Sequence, residues 1–142
     1  MATQAVVVDA SVAVKWFNAE EDSEEAVAMR NDHVSGDLVL ASPSLLIWEV
    51  CNALRHSPEA GSSDVRKALR DLWDLQMVLF EPNLEWMGEA IGEAFARGIT
   101  VYDSSYLALA MHLRVPFYSA DRVMLSKVEK DWAEHISDYG GE

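Results

Sequence analysis

Hydrophobic positions along the chain follow two rhythms. Short continuous apolar runs alternate with longer stretches in which apolar residues recur every three or four positions. The first run, Val6-Val7-Val8, is β-branched and ends at Asp9. It predicts a strand buried on both faces. Val12 to Phe17 predicts a short helix. A longer helix is predicted from a capping-type start at Asp22 or Ser23, with Glu24 and Glu25 in its first turn and Gly36 past its end. "DLVLAS" predicts a second strand, and Pro43 opens a helix across "SLLIWEVCNALRH". The loop "SPEAGSS" separates it from "SSDVRKALRDLWDLQ", the other arm of a helical hairpin. "VLFEP" predicts a third strand. The next helix is capped by Asn83 and stopped by Gly98. "ITVYD" reads as a short approach to the helix "SSYLALAMHLR". "VPFYSAD" predicts a strand, "RVMLSKVEK" a short helix, and Glu134 to Ser137 a last short strand.

Strands alternating with helices predict an α/β fold: a single-domain α/β/α sandwich, spanning residues 1–142, on a central parallel sheet. Such sheets bind ligands outside the carboxyl ends of their strands. Asp9 and Asp121 fall at such ends, and Asp103 follows the apolar "ITVY".

Composition narrows the class. Half of the 142 residues are hydrophobic, which is the make-up of a globular domain. No apolar run is long enough to span a bilayer, and the amino-terminal "MATQAVVVD" lacks the basic region of a signal peptide. With one cysteine, Cys51, no internal disulfide forms, which fits a cytoplasmic protein. Cys51 reads as a small core residue. The formal charge of −13 should repel nucleic acid at long range and attract metal cations or a basic partner.

Four acids stand where local structure does not demand an acid. Asp9 ends the first strand. Glu49 falls within the apolar stripe of Leu45, Leu46, Val50, Ala53 and Leu54. Asp103 precedes a helix, and Asp121 lies between a strand and a helix. Singly, each has a plain structural reading. Asp103 and Asp121 serve as helix caps, Asp9 as a turn residue, and Glu49 as a stripe-edge residue reaching water. Together they predict one convergent pocket. Carboxylates about 4 Å apart repel by roughly 4 kcal/mol at an effective dielectric of 20, so such a pocket calls for a cation. Oxygen ligands favour Mg²⁺ or Mn²⁺, and such an ion suits phosphoryl chemistry. His33, His56, His112 and His135 lack metal-motif spacing and read as surface or packing residues.

The motifs "VVVDASVAVKWF", "PSLLIWEVCNAL", "ITVYDSSYLALA" and "VPFYSADRVM", in this order, resemble those of PIN-domain proteins, in particular the VapC-type toxins of prokaryotic toxin–antitoxin pairs. The resemblance covers nearly the whole chain. It implies a Mg²⁺- or Mn²⁺-dependent endoribonuclease that hydrolyses RNA with a metal-activated water and leaves a 3′-hydroxyl and a 5′-phosphate. It implies that Asp9, Glu49, Asp103 and Asp121 form the acidic quartet that holds the metal. Ser11 matches a small hydroxyl residue two positions past the first acid. Asn52 matches a polar residue one helical turn past the glutamate, and Ser104 a small residue beside the third acid. The resemblance also implies a homodimer and a cognate antitoxin whose tail wraps the toxin, a partner suited to an acidic surface.

The chain departs from that pattern in one respect. Many members carry a further acid shortly after the fourth, and "DRVMLSK" has none. Lys15, one turn past Ser11, is expected to steer substrate, while Arg66, Lys67 and Arg70 are read as a solvated helix face. Trp48, Trp73, Trp86 and Trp132 are read mainly as core, with a partner groove as the other reading. Two other functions are weighed. One is a haloacid-dehalogenase-like phosphatase with Asp9 as nucleophile, disfavoured because Ser11 stands where a second aspartate belongs. The other is a non-catalytic interaction module on the same scaffold, which the strong acidity favours and the intact quartet opposes.

Overall fold

The computed structural model describes residues 3–141. Five parallel strands form one sheet in the order β3-β2-β1-β4-β5. They are β1 (Gln4–Val8), β2 (Leu38–Pro43), β3 (Val78–Phe80), β4 (Phe117–Ser119) and β5 (Ala133–His135). Helices α1 (Ala10–Ala13), α2 (Ser23–Ser35), α3 (Leu45–Arg55), α4 (Ser62–Asp74), α5 (Leu84–Arg97), α6 (Val101–Leu113) and α7 (Arg122–Leu125) connect and cover the strands.

The valine run is the middle of the sheet. Val6, Val7 and Val8 are all buried, although successive side chains on a strand point to opposite faces. Both faces of β1 are therefore covered. The chain winds outward from β1 through β2 to β3, then returns through α5 and α6 to β4 on the other side of β1. Right-handed crossovers make that return run over the opposite face. The strand order thus reverses between β1 and β4. A crevice opens at such a point, at the carboxyl edge of the sheet.

Several predicted ends hold. The Asn83 side chain accepts from Trp86 N at the start of α5, and Gly98 ends that helix at φ +67°. Gly36 ends α2 at φ +87°. These two glycines supply the left-handed turn that a side chain would strain.

Other ends move. The first helix begins at Ala10, not Val12, because Asp9 caps it, and its continuation Val14–Trp16 tightens to a 3-10 turn. Pro43 closes β2, pairing with Phe80, instead of opening α3. A proline at a strand's last position deprives the ladder of little. The last strand is Ala133–His135, beginning one residue and ending two residues earlier than expected. The largest shift is at α6, which begins at Val101 and absorbs the "VYD" read as its approach. The Thr100 hydroxyl oxygen accepts from Asp103 N at 2.9 Å, so Thr100 is the cap. Asp103 therefore stands inside the first helical turn, where the helix dipole favours an acid.

Candidate active site

Asp9 leaves β1 at the topological switch point, and its neighbours fix it from both sides. Ser11 donates to Asp9 Oδ1 and Ser119 to Asp9 Oδ2, each at 2.5 Å, and Val12 N reaches Oδ1 at 3.4 Å. The two serines also accept backbone donors from the β4 side. Ala120 N gives to Ser11 Oγ at 2.8 Å, and Asp121 N to Ser119 Oγ at 3.0 Å. The pattern Asp9-x-Ser11 at the end of β1 thus interlocks with Ser119-x-Asp121 at the end of β4. Asp121 caps α7, its Oδ1 accepting from Met124 N at 3.0 Å. Asp121 is the helix cap that its plain reading expects, and Asp9, expected as a turn residue, caps α1.

Glu49 projects from α3, half-buried beside the core residues Leu46 and Val50. Its Oε1 accepts a 2.5 Å hydrogen bond from the hydroxyl of Tyr106. Tyr106 lies three residues after Asp103 on α6, hence on the same side of that helix.

The four acids are linked electrostatically through Asp103. Burial raises the Asp9 carboxyl from 3.8 to about 6 against the pull of its serine donors, and Asp103 adds to the rise. Glu49 is raised, by burial first and then by Asp103, with Tyr106 opposing. Asp103 is raised by burial and by Asp121, with Thr100 and Lys127 opposing. Asp103 is therefore the hub that feels, or is felt by, each of the other three. The Tyr106 hydroxyl is pushed far above its ordinary value, chiefly by burial and by Glu49, and stays a proton donor. None of the four acids forms a salt bridge among the described residues.

An all-oxygen set of repelling carboxylates without a pairing side-chain cation suits a hard divalent ion. No three of the four bring oxygens within 4.8 Å of one another among the described residues; the trio that does so is Glu85, Glu89 and His112. That trio is exposed on α5 and the far end of α6. His112 is nine residues from Asp103, about 13 Å along the helix, so it is no part of this site.

The other predicted residues divide. Ser11 joins the site. Asn52 is exposed one turn beyond Glu49, on the wall of a groove between α3 and α4, and it hydrogen-bonds none of the acids. Ser104 is fully buried and donates to Ala90 O at 2.7 Å, fastening α6 to α5. Lys15 is not a steering residue. It is buried, with Nζ held by Glu20 Oε1 at 3.1 Å and the Glu21 carbonyl at 2.6 Å. Ser119, Tyr106 and Lys127 were missed. Ser119 was legible as the mirror of Asp9-x-Ser11. Tyr106 had no sequence signal, since an aromatic inside an apolar helix reads as core.

The tryptophans correct a second expectation. Trp86 is core, but Trp48 is 78% exposed, Trp73 67% and Trp132 44%. Trp48 and Trp73 line the α3/α4 groove, of about 1150 Å³, with Ile47, Val65 and Leu69. Cys51 lies half-buried in the same groove rather than in the core, and burial pushes its thiol up, away from the reactive thiolate.

Residues 6–131 match the model of the PIN domain. The chain is 30% identical over 126 residues to Ribonuclease VapC3 of Pyrobaculum aerophilum, covering 86% of this chain and 93% of that protein. The crystal structure of PAE2754 from Pyrobaculum aerophilum superposes with a TM-score of 0.64 at 25% identity, over 96% of this chain and 92% of that one. Two more distant structures share the fold. The sarcin-ricin-loop-cleaving toxin VapC20 of Mycobacterium tuberculosis has a TM-score of 0.67 at 13% identity, over 87% and 95% of the two chains. VapBC2 of Rickettsia felis, bound to a fragment of promoter DNA, has a TM-score of 0.65 at 11% identity, over 93% and 98%.

Proposed function

The chain belongs to the PIN-domain family, within it to the VapC-type ribonuclease toxins, and from that premise we propose a metal-dependent endoribonuclease, the toxin of a toxin–antitoxin pair. Its 142 residues act as one nuclease domain in the cytoplasm. Asp9, Glu49, Asp103 and Asp121 hold Mg²⁺ or Mn²⁺. The observation that supports this reading is the electrostatic coupling of three carboxylates, those of Asp9, Glu49 and Asp121, to a fourth, Asp103, beside the switch point of the sheet.

When bound, the ion supplies a water of lowered pKa and positive charge against the scissile phosphate. The chain's residues do the rest. Ser11 and Ser119 hold the Asp9 carboxylate in one orientation at a buried position, where the fixed geometry needs no reorganisation. Asp103 and Asp121 complete the acidic wall from a helix start and a strand end. Asn52, on the exposed turn after Glu49, offers an amide to the RNA backbone. No side chain need serve as a covalent nucleophile. RNA cleavage should require Mg²⁺ or Mn²⁺ and should be abolished by Asp103→Asn. Cleavage that survives EDTA, or a fully active D103N, overturns the reading.

The partners follow from two apolar surfaces. The α3/α4 groove, with the Trp48 and Trp73 rings on its wall and acids beyond Asn52, suits an antitoxin tail that is apolar along the groove and basic at the site. Helix α5 suits a second copy of the chain. Leu84, Ile91 and Phe95 are exposed on one stripe, with Gly88 and Gly92 between them. Pairing this helix antiparallel with itself, about the point between Glu89 and Ala90, sets Leu84 opposite Phe95, Ile91 opposite Gly88 and Met87 opposite Gly92. Each bulky side chain of the middle meets a glycine, as an isologous dimer requires.

A further inference from the structure

The hydroxyl of Tyr106 has no role in the fold that a phenylalanine would not fill. The ring is 1% exposed and stacks on Phe117 at a centroid separation of 6.3 Å with planes 7° apart. A phenylalanine would keep both the burial and the stack. The one polar atom of this buried side chain meets Glu49 Oε1, and nothing else among the described residues. Burying a hydroxyl is unfavourable unless it is paired, so this hydroxyl is tied to Glu49. Glu49 in turn takes no other hydrogen bond among the described residues, which leaves Oε2 as its oxygen without a protein partner.

Glu49 is also the site acid most in need of a tether. Asp9 and Asp121 are held by short side chains at strand ends, and Asp103 has a single torsion fewer than a glutamate. Glu49 extends on a longer, freer stem from an α3 position at the margin of the core, and fixing such a side chain costs rotamer entropy. The Tyr106 tether joins α3 to α6, the helix that carries Asp103. Through Phe117 it also rests on β4, two residues before Ser119, the donor to Asp9.

We propose that Tyr106 is the positioning residue of the site: its hydroxyl takes one oxygen of Glu49 and holds the other toward the cation as a single-oxygen ligand. This rests on the reading of Glu49 as part of the cation site. Partners in a second layer of this kind typically change metal affinity by about 10- to 100-fold, and Tyr106→Phe should weaken Mn²⁺ binding at the lower end of that range.

The test is calorimetric titration of Mn²⁺ into the full chain and into Y106F, E49Q and the double variant, with circular dichroism checking the fold of each. Y106F should bind about ten-fold more weakly, and adding it to E49Q should change nothing further. A folded Y106F with wild-type affinity overturns the proposal, and so does an equal loss in the E49Q background. E49Q binding like wild type overturns the underlying reading of Glu49, which separates the two failures. A second measurement needs no change at Tyr106. Mg²⁺ added to the wild-type chain should perturb the tyrosine absorbance as Glu49 shares its charge with the ion, and E49Q should abolish that signal. A wild-type spectrum indifferent to Mg²⁺, or a signal retained in E49Q, counts against the proposal.

Discussion

Asp9→Asn should stabilise the metal-free protein while destroying its proposed activity. The Asp9 carboxyl is raised from 3.8 to about 6, chiefly by burial, even though two serines and a backbone N–H favour its charged form. A raised acid binds its proton more tightly in the folded than in the unfolded chain. Its stabilising contribution is therefore fully present below about pH 4 and lost as pH rises through about 6. The shift is about two units, and at ~1.4 kcal/mol per unit the charged carboxylate costs the fold about 3 kcal/mol at neutral pH. Asparagine removes that charge. Its amide must then find an acceptor where a carboxylate oxygen stood. Ser11 Oγ and Ser119 Oγ each already accept one N–H, so one serine has to turn its proton elsewhere. Allowing about 1 kcal/mol for that rearrangement, D9N should gain about 2 kcal/mol, a rise of about 4–8 °C in Tm for a domain of this size. The assay is thermal melting by circular dichroism in EDTA near pH 7.5 and again near pH 4. The gain should be present at the first pH and absent at the second, and saturating Mn²⁺ should reverse the order by stabilising the wild type alone. A D9N chain that melts below wild type near pH 7.5 in EDTA would refute the reasoning: the serine network would then outweigh the burial of the charge.

Ser119→Ala removes one donor from Asp9 and the acceptor of Asp121 N; it should cost about 1–3 kcal/mol in urea unfolding and push the acidic limb of RNA cleavage to higher pH, because a bond that lowers the Asp9 carboxyl is gone. Trp73→Ala should weaken binding of the antitoxin by about 2 kcal/mol or more in titration calorimetry and leave RNA cleavage by the free toxin unchanged; an unchanged affinity would move the tail out of the α3/α4 groove. Phe95→Glu, which sets two carboxylates against the ends of the α5 stripe, should convert the dimer to a monomer in light scattering; a dimer that persists would place the interface elsewhere.

The site was legible where backbone and chemistry disagree. An aspartate closing a run of three valines is a poor core residue and a good site residue, and topology turns it into a member of the switch-point crevice. Glu49 was visible in the same way, as a charge inside an apolar stripe. Asp103 stands one turn deeper than the sequence suggests. The sequence places it before the helix, but Thr100 carries the cap and Asp103 lies within the first turn. The proposed chemistry does not depend on that shift, because Asp103 remains coupled to Asp9, Glu49 and Asp121.

What stayed hidden shares a physical cause: side-chain type does not report direction. Trp48 and Trp73 are residue types of the core, yet they face outward, because the core-facing positions are already filled by Leu46, Val50 and Leu54 on α3 and by Ala68 and Leu72 on α4. Lys15 has the composition of a surface residue, yet its ammonium is enclosed by Glu20 and the Glu21 carbonyl. Tyr106 looks like filler until its hydroxyl is seen to end on Glu49. Asp9 and Glu49 could be read because a charge closing a core strand or lying in an apolar stripe conflicts with its local surroundings wherever it points, although of the four acids only Asp9 is buried and Asp121 is exposed. Their supports carry less signal: Ser119 shows only as the mirror of Asp9-x-Ser11, and a tyrosine in a helix conflicts with nothing until the faces of α3 and α6 are brought together. The supports are therefore these quiet positions, Ser119 and Tyr106, and Tyr106→Phe is the variant that should separate metal affinity from folding. Replacing either leaves every acid in place and changes how firmly the acids are held, at Ser119 with a cost to the fold as well.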